Sequence, residues 1–314
     1  SNHHSIEFDV LSNPEFLAEG SAIRDLTSPD RVLIGSEETE QGLRARETLV
    51  EIYTNWVPRE RILTSNIWSS ELSKLVSNAF LAQRVSSINA VSAICEKTEA
   101  DVNEVSRAVG TDSRIGPKFL NSSVGFGGSC FKKDLLNLVY LCRHYGLNEV
   151  ADYWDGVLKI NDYQQDRFVL NMIDAMFNTL SGKKICVWGF AFKADTGDTR
   201  ESPAIRITKR LVEENALVIV SDPKALKNAR ADLRGLEDRV SFVEDPMEAV
   251  KGCHALCVLT EWDLYRHQDF EAVYASMAKP SFLFDGRNIL DHGKCFRIGF
   301  NVYPIGKPPM THFQ

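Results

Sequence analysis

A glycine-rich stretch with one cysteine is the part of the sequence whose residue types could do covalent chemistry. Residues 122–134 are SSVGFGGSCFKKD, and an apolar helical pattern follows from Leu135. Glycines let a backbone come close to a ligand because they carry no Cβ atom. With Ser129 as the N-cap, Cys130 lies in the first helical turn, where free N–H groups and the helix dipole favour a thiolate. Cys130 is therefore a candidate nucleophile, and Asp134 shares its helical face.

The same stretch has a second interpretation, which the residues alone leave open. Most cysteines are small buried groups without chemistry, and a glycine-rich turn before a helix is an ordinary structural element. The stretch is not a dinucleotide-binding fingerprint, because G-x-G-x-x-G would require a glycine at Cys130 and a strand before it. A cysteine hydrolase is a weaker alternative, since no histidine stands in a motif that would pair with Cys130.

A long helical pattern covers residues 65–97 and contains neither proline nor glycine. Its apolar positions nearly encircle it, which indicates a helix that spans domains or forms an oligomer. Lys74 and Asn78 are four residues apart and project from one face, either as solvated groups or as members of a site. Helical patterns continue to about residue 180, so residues 68–178 are predicted to be all-helical.

From residue 183 onward, strand-like runs alternate with helical runs. Alternation at this spacing predicts a parallel, doubly wound sheet of the Rossmann-like type. The predicted strands are residues 184–189, 217–221, 240–243, 255–260, 281–284 and 300–305.

Polar loops follow three of these predicted strands, where ligands of such sheets bind. Lys193, Arg200 and Arg287 bring positive charge to this edge. The charge predicts either an anion or nucleotide-phosphate site, or ordinary surface loops. Because no G-x-G-x-x-G pattern follows Gly189, this half is not expected to bind a dinucleotide in the usual way.

Strand and helix patterns also alternate before residue 67, but they do not add up to a complete α/β domain. Short strands are predicted at residues 8–11, 31–34 and 61–63, and helices at 13–26 and 37–56. The fold class predicted for the whole chain is therefore α/β.

Composition limits the classes of function. The chain has 314 residues, a net charge of −7 and 44% hydrophobic residues, which is an ordinary globular balance. A mildly acidic chain is a poor candidate for non-specific nucleic-acid binding, and no apolar run reaches the ~20 residues of a membrane span. Seven scattered cysteines without a leader sequence predict a reducing, cytoplasmic location. No metal site is expected, since Cys253 and Cys257 lack a second ligand pair.

Four motifs occur in order along the chain. Together they resemble the nucleotide-sugar dehydrogenases, and most closely the UDP-glucose 6-dehydrogenase branch of the eukaryotic type, from about residue 8 to residue 307. The motifs are NPEFLAEG at 13–20, SSELSKLVSNAF at 69–80, GFGGSCFKKD at 125–134 and GFAFKADTGDTRES at 189–202.

The resemblance implies a division into three domains. Residues 1–67 would be the remnant of an N-terminal NAD-binding Rossmann domain, whose glycine fingerprint is not in the sequence. Residues 68–178 would be a central helical, dimerisation domain, and residues 179–314 a UDP-binding domain.

The resemblance also implies an activity. Family members oxidise UDP-glucose to UDP-glucuronate by two successive hydride transfers to NAD, through a thiohemiacetal and a thioester on the residue that matches Cys130. Two alternatives stay open. The chain could oxidise another nucleotide sugar, such as GDP-mannose or UDP-N-acetylmannosamine, or it could be a UDP-sugar-binding and oligomerisation module without turnover. With most of the NAD domain missing, this chain alone is expected to be inactive.

Roles for single residues follow from the resemblance, motif by motif. Lys74 would stabilise the developing oxyanion or exchange protons with it, helped by Asn78 and by a water held by Asp134. Glu15 would be the general acid or base of thioester hydrolysis. Positions that match substrate contacts are Phe16, Leu17, Ala18, Glu19, Arg114, Phe119, Asn121, Gly125, Phe126, Gly127, Phe192, Lys193 and Arg287.

The cofactor and the assembly complete these expectations. Arg114 resembles an arginine that crosses into a neighbouring subunit's active site, which implies a homo-oligomer through the central helices, with a dimer as the minimal unit and a hexamer as the larger form. Asn121 departs from the family, because animal members carry a lysine there, so one charge near the substrate is missing. Positions that match the cofactor side are Glu19, Phe131, Lys132, Lys133 and Arg200.

Overall fold

The computed structural model describes residues 8–17 and 19–313, which form two compact units, one ending at Ala79 and the other beginning at Phe80. In the first unit a small sheet packs against one helix. β1 pairs antiparallel with β2, and β2 pairs parallel with β3. The elements of this unit are β1 (Leu11–Ser12), α1 (Ala22–Thr27), β2 (Val32–Ser36), α2 (Glu40–Tyr53) and β3 (Ile62–Asn66), and its core is Val32, Ile34, Val50, Val57 and Ile62.

Four helices follow: α3 (Ile67–Cys95), which contains the boundary between the units, α4 (Val102–Thr111), α5 (Phe131–His144) and α6 (Asn148–Ala175). The Asp101 side chain caps α4 by accepting the Asn103 N–H at 2.7 Å. α5 packs against α6 with buried residues at helical spacing. Within residues 8–17 and 19–313, no helix is both long enough and apolar enough to cross a membrane.

The rest of the chain builds a six-stranded parallel sheet, which confirms the α/β class and the six predicted strands. The strand order is β6-β5-β4-β7-β8-β9, so the chain moves outward from β4 and then returns to place β7 beside it. The carboxyl ends of β4 and β7 are therefore neighbours at a switch point, where α/β sheets bind ligands. The strands are β4 (Lys184–Trp188), β5 (Leu217–Ser221), β6 (Val240–Phe242), β7 (Ala255–Val258), β8 (Phe282–Asp285) and β9 (Asn301–Pro304).

Six helices connect these strands. β7 and β8 are buried along their whole length, as expected for parallel strands that are covered on both faces. Helices were predicted at about residues 203–214, 246–251 and 270–277, whereas the helices at 226–232, 263–266 and 292–298 were not predicted. The helices are α7 (Pro203–Glu213), α8 (Leu226–Asp232), α9 (Pro246–Ala249), α10 (Asp263–Arg266), α11 (Phe270–Ser276) and α12 (His292–Ile298).

Two helix predictions were wrong in extent. The helix predicted from residue 13 begins only at Ala22, after Gly20 with a φ of +89°. The helix predicted to reach residue 180 ends at Ala175, because Phe177 and Asn178 have φ values of +63° and +58°. Positive φ is incompatible with a right-handed helix.

A buried carboxylate ties together the loops at the switch point. Asp222 follows β5 and is 1% exposed. Its Oδ2 accepts the backbone N–H groups of Phe190 and Ala191, at 2.7 and 3.0 Å, and the Trp262 indole N–H at 3.1 Å. Its Oδ1 accepts two further N–H groups of its own turn. In a dinucleotide-binding loop, backbone N–H groups at this position would face a phosphate. Here the N–H groups of Phe190 and Ala191 are bonded to the Asp222 carboxylate.

We expect Asp222→Ala to lower the free energy of unfolding by about 3 kcal/mol or more, because several buried N–H groups lose their acceptor together. Urea denaturation measures this loss. Asp238→Ala is the matched control, because the Asp238 side chain is 80% exposed and meets Arg239 only at 3.9 Å. Equal stability of the two variants would contradict the role given to Asp222.

Candidate functional site

Loops at the carboxyl ends of β4, β7 and β8 meet the glycine-rich stretch around a cleft of about 890 Å³, here called the strand-end cleft. Nine residues predicted from the sequence line it: Phe119, Asn121, Gly125, Phe126, Gly127, Phe131, Phe192, Lys193 and Arg287. The folded chain therefore brings together most of the predicted substrate contacts that lie beyond residue 80.

The guanidinium of Arg287 joins three of these loops. Its Nε donates to the Leu259 carbonyl at 2.7 Å, after β7, and its Nη2 donates to the Phe192 carbonyl at 2.9 Å, after β4. Its Nη1 lies 3.2 Å from Glu261 Oε2. A planar guanidinium holds its partners in fixed directions, so the shape of the cleft depends on this residue.

Positive charge dominates the lining of the cleft. Lys193, Arg266 and Arg287 come from segments that follow strands of the sheet, and Arg107 and Lys118 come from α4 and the loop after it, against one carboxylate, Glu261. Burial by itself would raise the pKa of Glu261, but the charges of Arg287 and Lys193 and backbone N–H groups outweigh it, so the pKa is lowered. An anion is the ligand that such a lining favours.

The glycine-rich loop lies directly on the strand-end loops. Val124 N–H donates to the Gly286 carbonyl at 3.0 Å, and Gly128 N–H donates to the Arg200 carbonyl at 2.8 Å. A Cβ atom at Gly127 would lie 2.6 Å from the Glu201 carbonyl oxygen, closer than any side chain tolerates. This glycine is therefore required for the loop to pack beside the cleft.

Cys130 is exposed, whereas the other six cysteines are buried. The expectation that Ser129 caps the helix was wrong, because α5 begins at Phe131 and Cys130 itself is the N-cap residue, without a side-chain cap bond. The helix begins one residue later than predicted. The Ser129 hydroxyl lies 3.6 Å from the Cys130 sulfur and does not cap the helix. The thiol is still at the positive end of the helix dipole.

Three other predicted residues, Lys132, Lys133 and Asp134, lie in the first turn of α5, and Arg200 lies in a loop next to it. Asp134 is 3% exposed, and its Oδ1 lies 3.4 Å from Lys133 Nζ. Lys132 pairs with Glu201 at 2.7 Å, next to Arg200, whose guanidinium pairs with its neighbour Asp198. Lys132, Lys133 and Arg200 are thus partly exposed near the start of α5, and each is paired with a carboxylate.

The first unit contains the remaining catalytic candidates. Lys74 Nζ lies 3.6 Å from Glu15 Oε1 and also donates to the Glu15 carbonyl. The Phe16 ring lies under the Arg31 guanidinium, 3.7 Å from its centroid, as a cation–π pair. Asn78 lies one helical turn beyond Lys74 on α3.

Phe16 and Leu17 also line a groove of about 520 Å³ in this unit, together with Arg24, Asp25 and Arg31. Glu19 follows in a turn before α1. Ala18, which the sequence assigned to the substrate, lies outside the described residues.

Arg114 does not line the strand-end cleft. Its guanidinium is 87% exposed and forms a bidentate pair with Asp112, which lowers the pKa of that carboxyl. Its predicted contact with a neighbouring subunit stays a prediction.

Sequence reasoning missed several cleft residues. Glu261 and Asn288 lie in loops that were predicted to be functional, but neither side chain was singled out. Asn288 donates to the Ser122 hydroxyl at 3.1 Å and to the Ile305 carbonyl at 2.8 Å. Arg107 and Lys118 gave no signal, because only folding brings α4 and the following loop to the cleft.

Among residues 8–17 and 19–313, no group of three or more His, Cys, Asp or Glu side chains is arranged to hold a metal ion.

Three models of one protein family match the chain in succession. Residues 1–57 match "UDP-glucose/GDP-mannose dehydrogenase family, NAD binding domain". Residues 68–163 match the central domain of that family, and residues 186–292 match its UDP binding domain. The strand-end cleft lies between loops of the second and third of these matches.

Whole proteins are similar over nearly the full chain. UDP-glucose 6-dehydrogenase 1 of Arabidopsis thaliana is 55% identical over 326 residues, which is 98% of this chain and 68% of the relative. UDP-glucose 6-dehydrogenase 2 of Oryza sativa subsp. japonica is 56% identical over 97% of this chain and 67% of its own. The solved UDP-glucose dehydrogenase of the archaeon Pyrobaculum islandicum superposes with a TM-score of 0.83 at 33% identity, over 96% of this chain and 64% of that one.

The charge of Glu261 gives the cleft a pH-dependent contribution to stability. Because the pKa of Glu261 is lower in the folded chain than its ordinary value of about 4.5, the ionised carboxylate stabilises the folded state. This contribution is complete above pH ~4.5 and is lost as the pH falls through the pKa of the folded protein. We expect Glu261→Gln to be about 1 kcal/mol less stable than the unsubstituted chain at pH 7, with a difference that shrinks below pH ~4.5.

Urea denaturation at a series of pH values measures this difference. Glu248→Gln is the control, because Glu248 pairs with Lys251 on the surface and both side chains are more than half exposed. A Glu261→Gln deficit that stays constant down to pH ~3 would contradict the assignment of the lowered pKa.

Proposed function

Because the chain belongs to the UDP-glucose/GDP-mannose dehydrogenase family, we propose that it serves in the oxidation of UDP-glucose to UDP-glucuronate with NAD as the acceptor of electrons, as the part that holds the substrate and the nucleophile. The resemblance found in the motifs is confirmed by the family models and by relatives that are 55% identical. The chain spans about two thirds of these relatives. The observation that carries the proposal is the positively charged strand-end cleft, whose sheet side lies in the segment that matches the UDP binding domain.

The strand-end cleft suits a nucleoside diphosphate sugar. Lys193 and Arg266 supply positive charge for a diphosphate, and Phe119 and Phe192 offer aromatic surface for a base or sugar ring. Backbone groups of the glycine-rich loop complete the wall. We assign substrate binding to the cleft residues predicted from the sequence, with Phe16, Leu17, Ala18 and Glu19 as further contacts from the first unit.

Cys130 is the proposed nucleophile. The first oxidation converts the C6 alcohol to an aldehyde, and the thiolate then forms a C–S bond at the aldehyde carbon to give a thiohemiacetal. The second oxidation gives a thioester, and water cleaves its C–S bond, which returns the thiolate and leaves a carboxylate. One alcohol and one water thus yield one carboxylate, with two hydrides and three protons released.

Other side chains would handle charge and protons. We assign to Lys74 and Asn78 the stabilisation of negative charge on the substrate oxygen, and to Asp134 the holding of a water. Glu15 would move a proton during thioester hydrolysis. The 3.6 Å distance between Glu15 Oε1 and Lys74 Nζ supports a shared role, because both groups could reach the same substrate oxygen.

NAD is the cofactor, and residues 1–57 match an NAD binding domain. When bound, NAD would supply the hydride acceptor for both oxidations. The exposed cations Lys133 and Arg200 fit an anionic cofactor beside the start of α5, since their side chains are 74% and 66% exposed. We propose that they bind it together with Glu19, Phe131 and Lys132.

We further propose three domains, residues 1–67, 68–178 and 179–314, and a homo-oligomer through the central helices. Exposed apolar side chains on α5 and α6 support this assembly, because Leu136, Tyr140 and Tyr153 are 48%, 65% and 56% exposed. Arg114 would then reach the substrate of a neighbouring subunit.

Seven free thiols fit a reducing compartment, and we place the protein in the cytoplasm.

Titration calorimetry tests the substrate. We expect the chain to bind UDP-glucose more tightly than GDP-mannose or UDP-N-acetylmannosamine. Lys193→Ala should weaken binding about tenfold, because a charged contact to phosphate is lost. Lys227→Ala removes an exposed lysine from α8 and serves as the control. The proposal is wrong if the three nucleotide sugars bind equally, or if both variants bind like the unsubstituted chain.

Thiol labelling tests the nucleophile. Only Cys130 is exposed among the seven cysteines, so iodoacetamide should modify one thiol of the folded chain, located by peptide mass spectrometry. Saturating UDP-glucose should slow the labelling at least tenfold by covering the thiol. Equal labelling rates with and without UDP-glucose would argue against a substrate site at Cys130, and cytidine diphosphate ribitol provides a nucleotide control without a hexose.

A further inference from the structure

Buried side-chain amides hold the backbone of the glycine-rich loop where it forms the wall of the strand-end cleft. Asn161, on α6, pairs with both polar groups of one loop residue. Its Oδ1 accepts the Phe126 N–H at 2.8 Å, and its Nδ2 donates to the Phe126 carbonyl at 3.2 Å. This is the pairing that a neighbouring strand would provide, supplied by one side chain.

A second pair of amides holds the loop three residues earlier. Gln164 Nε2, one turn further along α6, donates to the Ser123 carbonyl at 2.7 Å. Asn89, on α3, accepts the Ser123 N–H at 2.8 Å. Asn161 is 7% exposed, and Gln164 and Asn89 are fully buried, so water does not compete for these bonds.

The orientation of the Gln164 amide is fixed from behind. Its Oε1 accepts from Arg167 Nη2 at 2.8 Å, and a guanidinium can only donate. The amide NH₂ must therefore point towards the loop. Arg167 is held in turn by an ion pair with Glu96, whose Oε1 accepts the Gly306 N–H at 2.8 Å.

The loop also packs closely against Asn161. A Cβ atom at Gly125 would lie 2.8 Å from Asn161 Oδ1, and Gly125 has a φ of +124°. The loop backbone therefore fits only one position against α6. Ser123, Gly125 and Phe126 line the cleft, whereas Asn161 and Gln164 do not, so the amides act from behind the wall.

We propose that Asn161 and Gln164 are positioning residues for nucleotide-sugar binding. They set the backbone of residues 123–126 in its binding geometry before the ligand arrives. A loop without these anchors would have to be ordered on binding, and the conformational entropy lost in that ordering would weaken the affinity. This inference rests on the proposed function only for the identity of the ligand.

Asn161→Ala tests the proposal in the full chain, with UDP as the probe. We expect UDP to bind at least tenfold more weakly to the folded variant, and backbone amides of residues 123–126 to exchange with deuterium at least tenfold faster. Asn301→Ala is the matched control. Asn301 is likewise buried, at 2% exposed, and its side chain accepts the His312 backbone N–H at 2.8 Å. It lies on β9 and does not line the cleft.

Both alanine variants should unfold at lower temperature, so thermal stability alone does not separate positioning from general support. The proposal is overturned if folded Asn161→Ala binds UDP as tightly as Asn301→Ala and exchanges the loop amides at the same rate. Asn161→Ser, whose hydroxyl can keep one bond to the loop, should give smaller changes in the same direction. It decides the question if the alanine variant does not fold.

The two measurements also separate this inference from the proposed function. If the unsubstituted chain does not bind UDP, the proposed function fails. The exchange rates of residues 123–126 still decide whether Asn161 holds the loop.

Discussion

One guanidinium holds the site together at the switch point of the parallel sheet. Arg287 reaches the carbonyls of Leu259 and Phe192 and the carboxylate of Glu261, so the loops after β4, β7 and β8 have a common anchor. Loops at strand ends are otherwise the most mobile parts of an α/β domain. The fixed directions of these three contacts turn separate loops into one wall of a cleft.

The glycine-rich loop forms another part of the wall, and it packs there because Gly125 and Gly127 have no Cβ atom. Gly127 packs against the Glu201 carbonyl, and Gly125 against Asn161, so the backbone of the loop faces the cleft. The same loop leads into α5, which places Cys130 at the positive end of a helix. Substrate binding and covalent chemistry are thus connected through a single short segment.

Periodicity and loop composition predicted much of this arrangement. The errors concerned single residues, such as the first residue of α5. The alternation of strand and helix patterns after residue 183 predicted the six strands. It also placed Arg287 at the edge of the sheet where the cleft lies. The start of α5 was placed one residue early, because serine caps are common and nothing in the sequence disfavours Ser129. Asn161 gave no signal, since a buried amide on a helix is visible as an anchor only when its long-range backbone partner is known.

The other assignments depend on binding of the nucleotide sugar in the strand-end cleft. A crystal structure of the chain with UDP-glucose tests it most directly. We expect the diphosphate beside Lys193, with the nucleotide between the glycine-rich loop and the loops joined by Arg287. Electron density for the ligand at another surface, with an empty strand-end cleft, would contradict it.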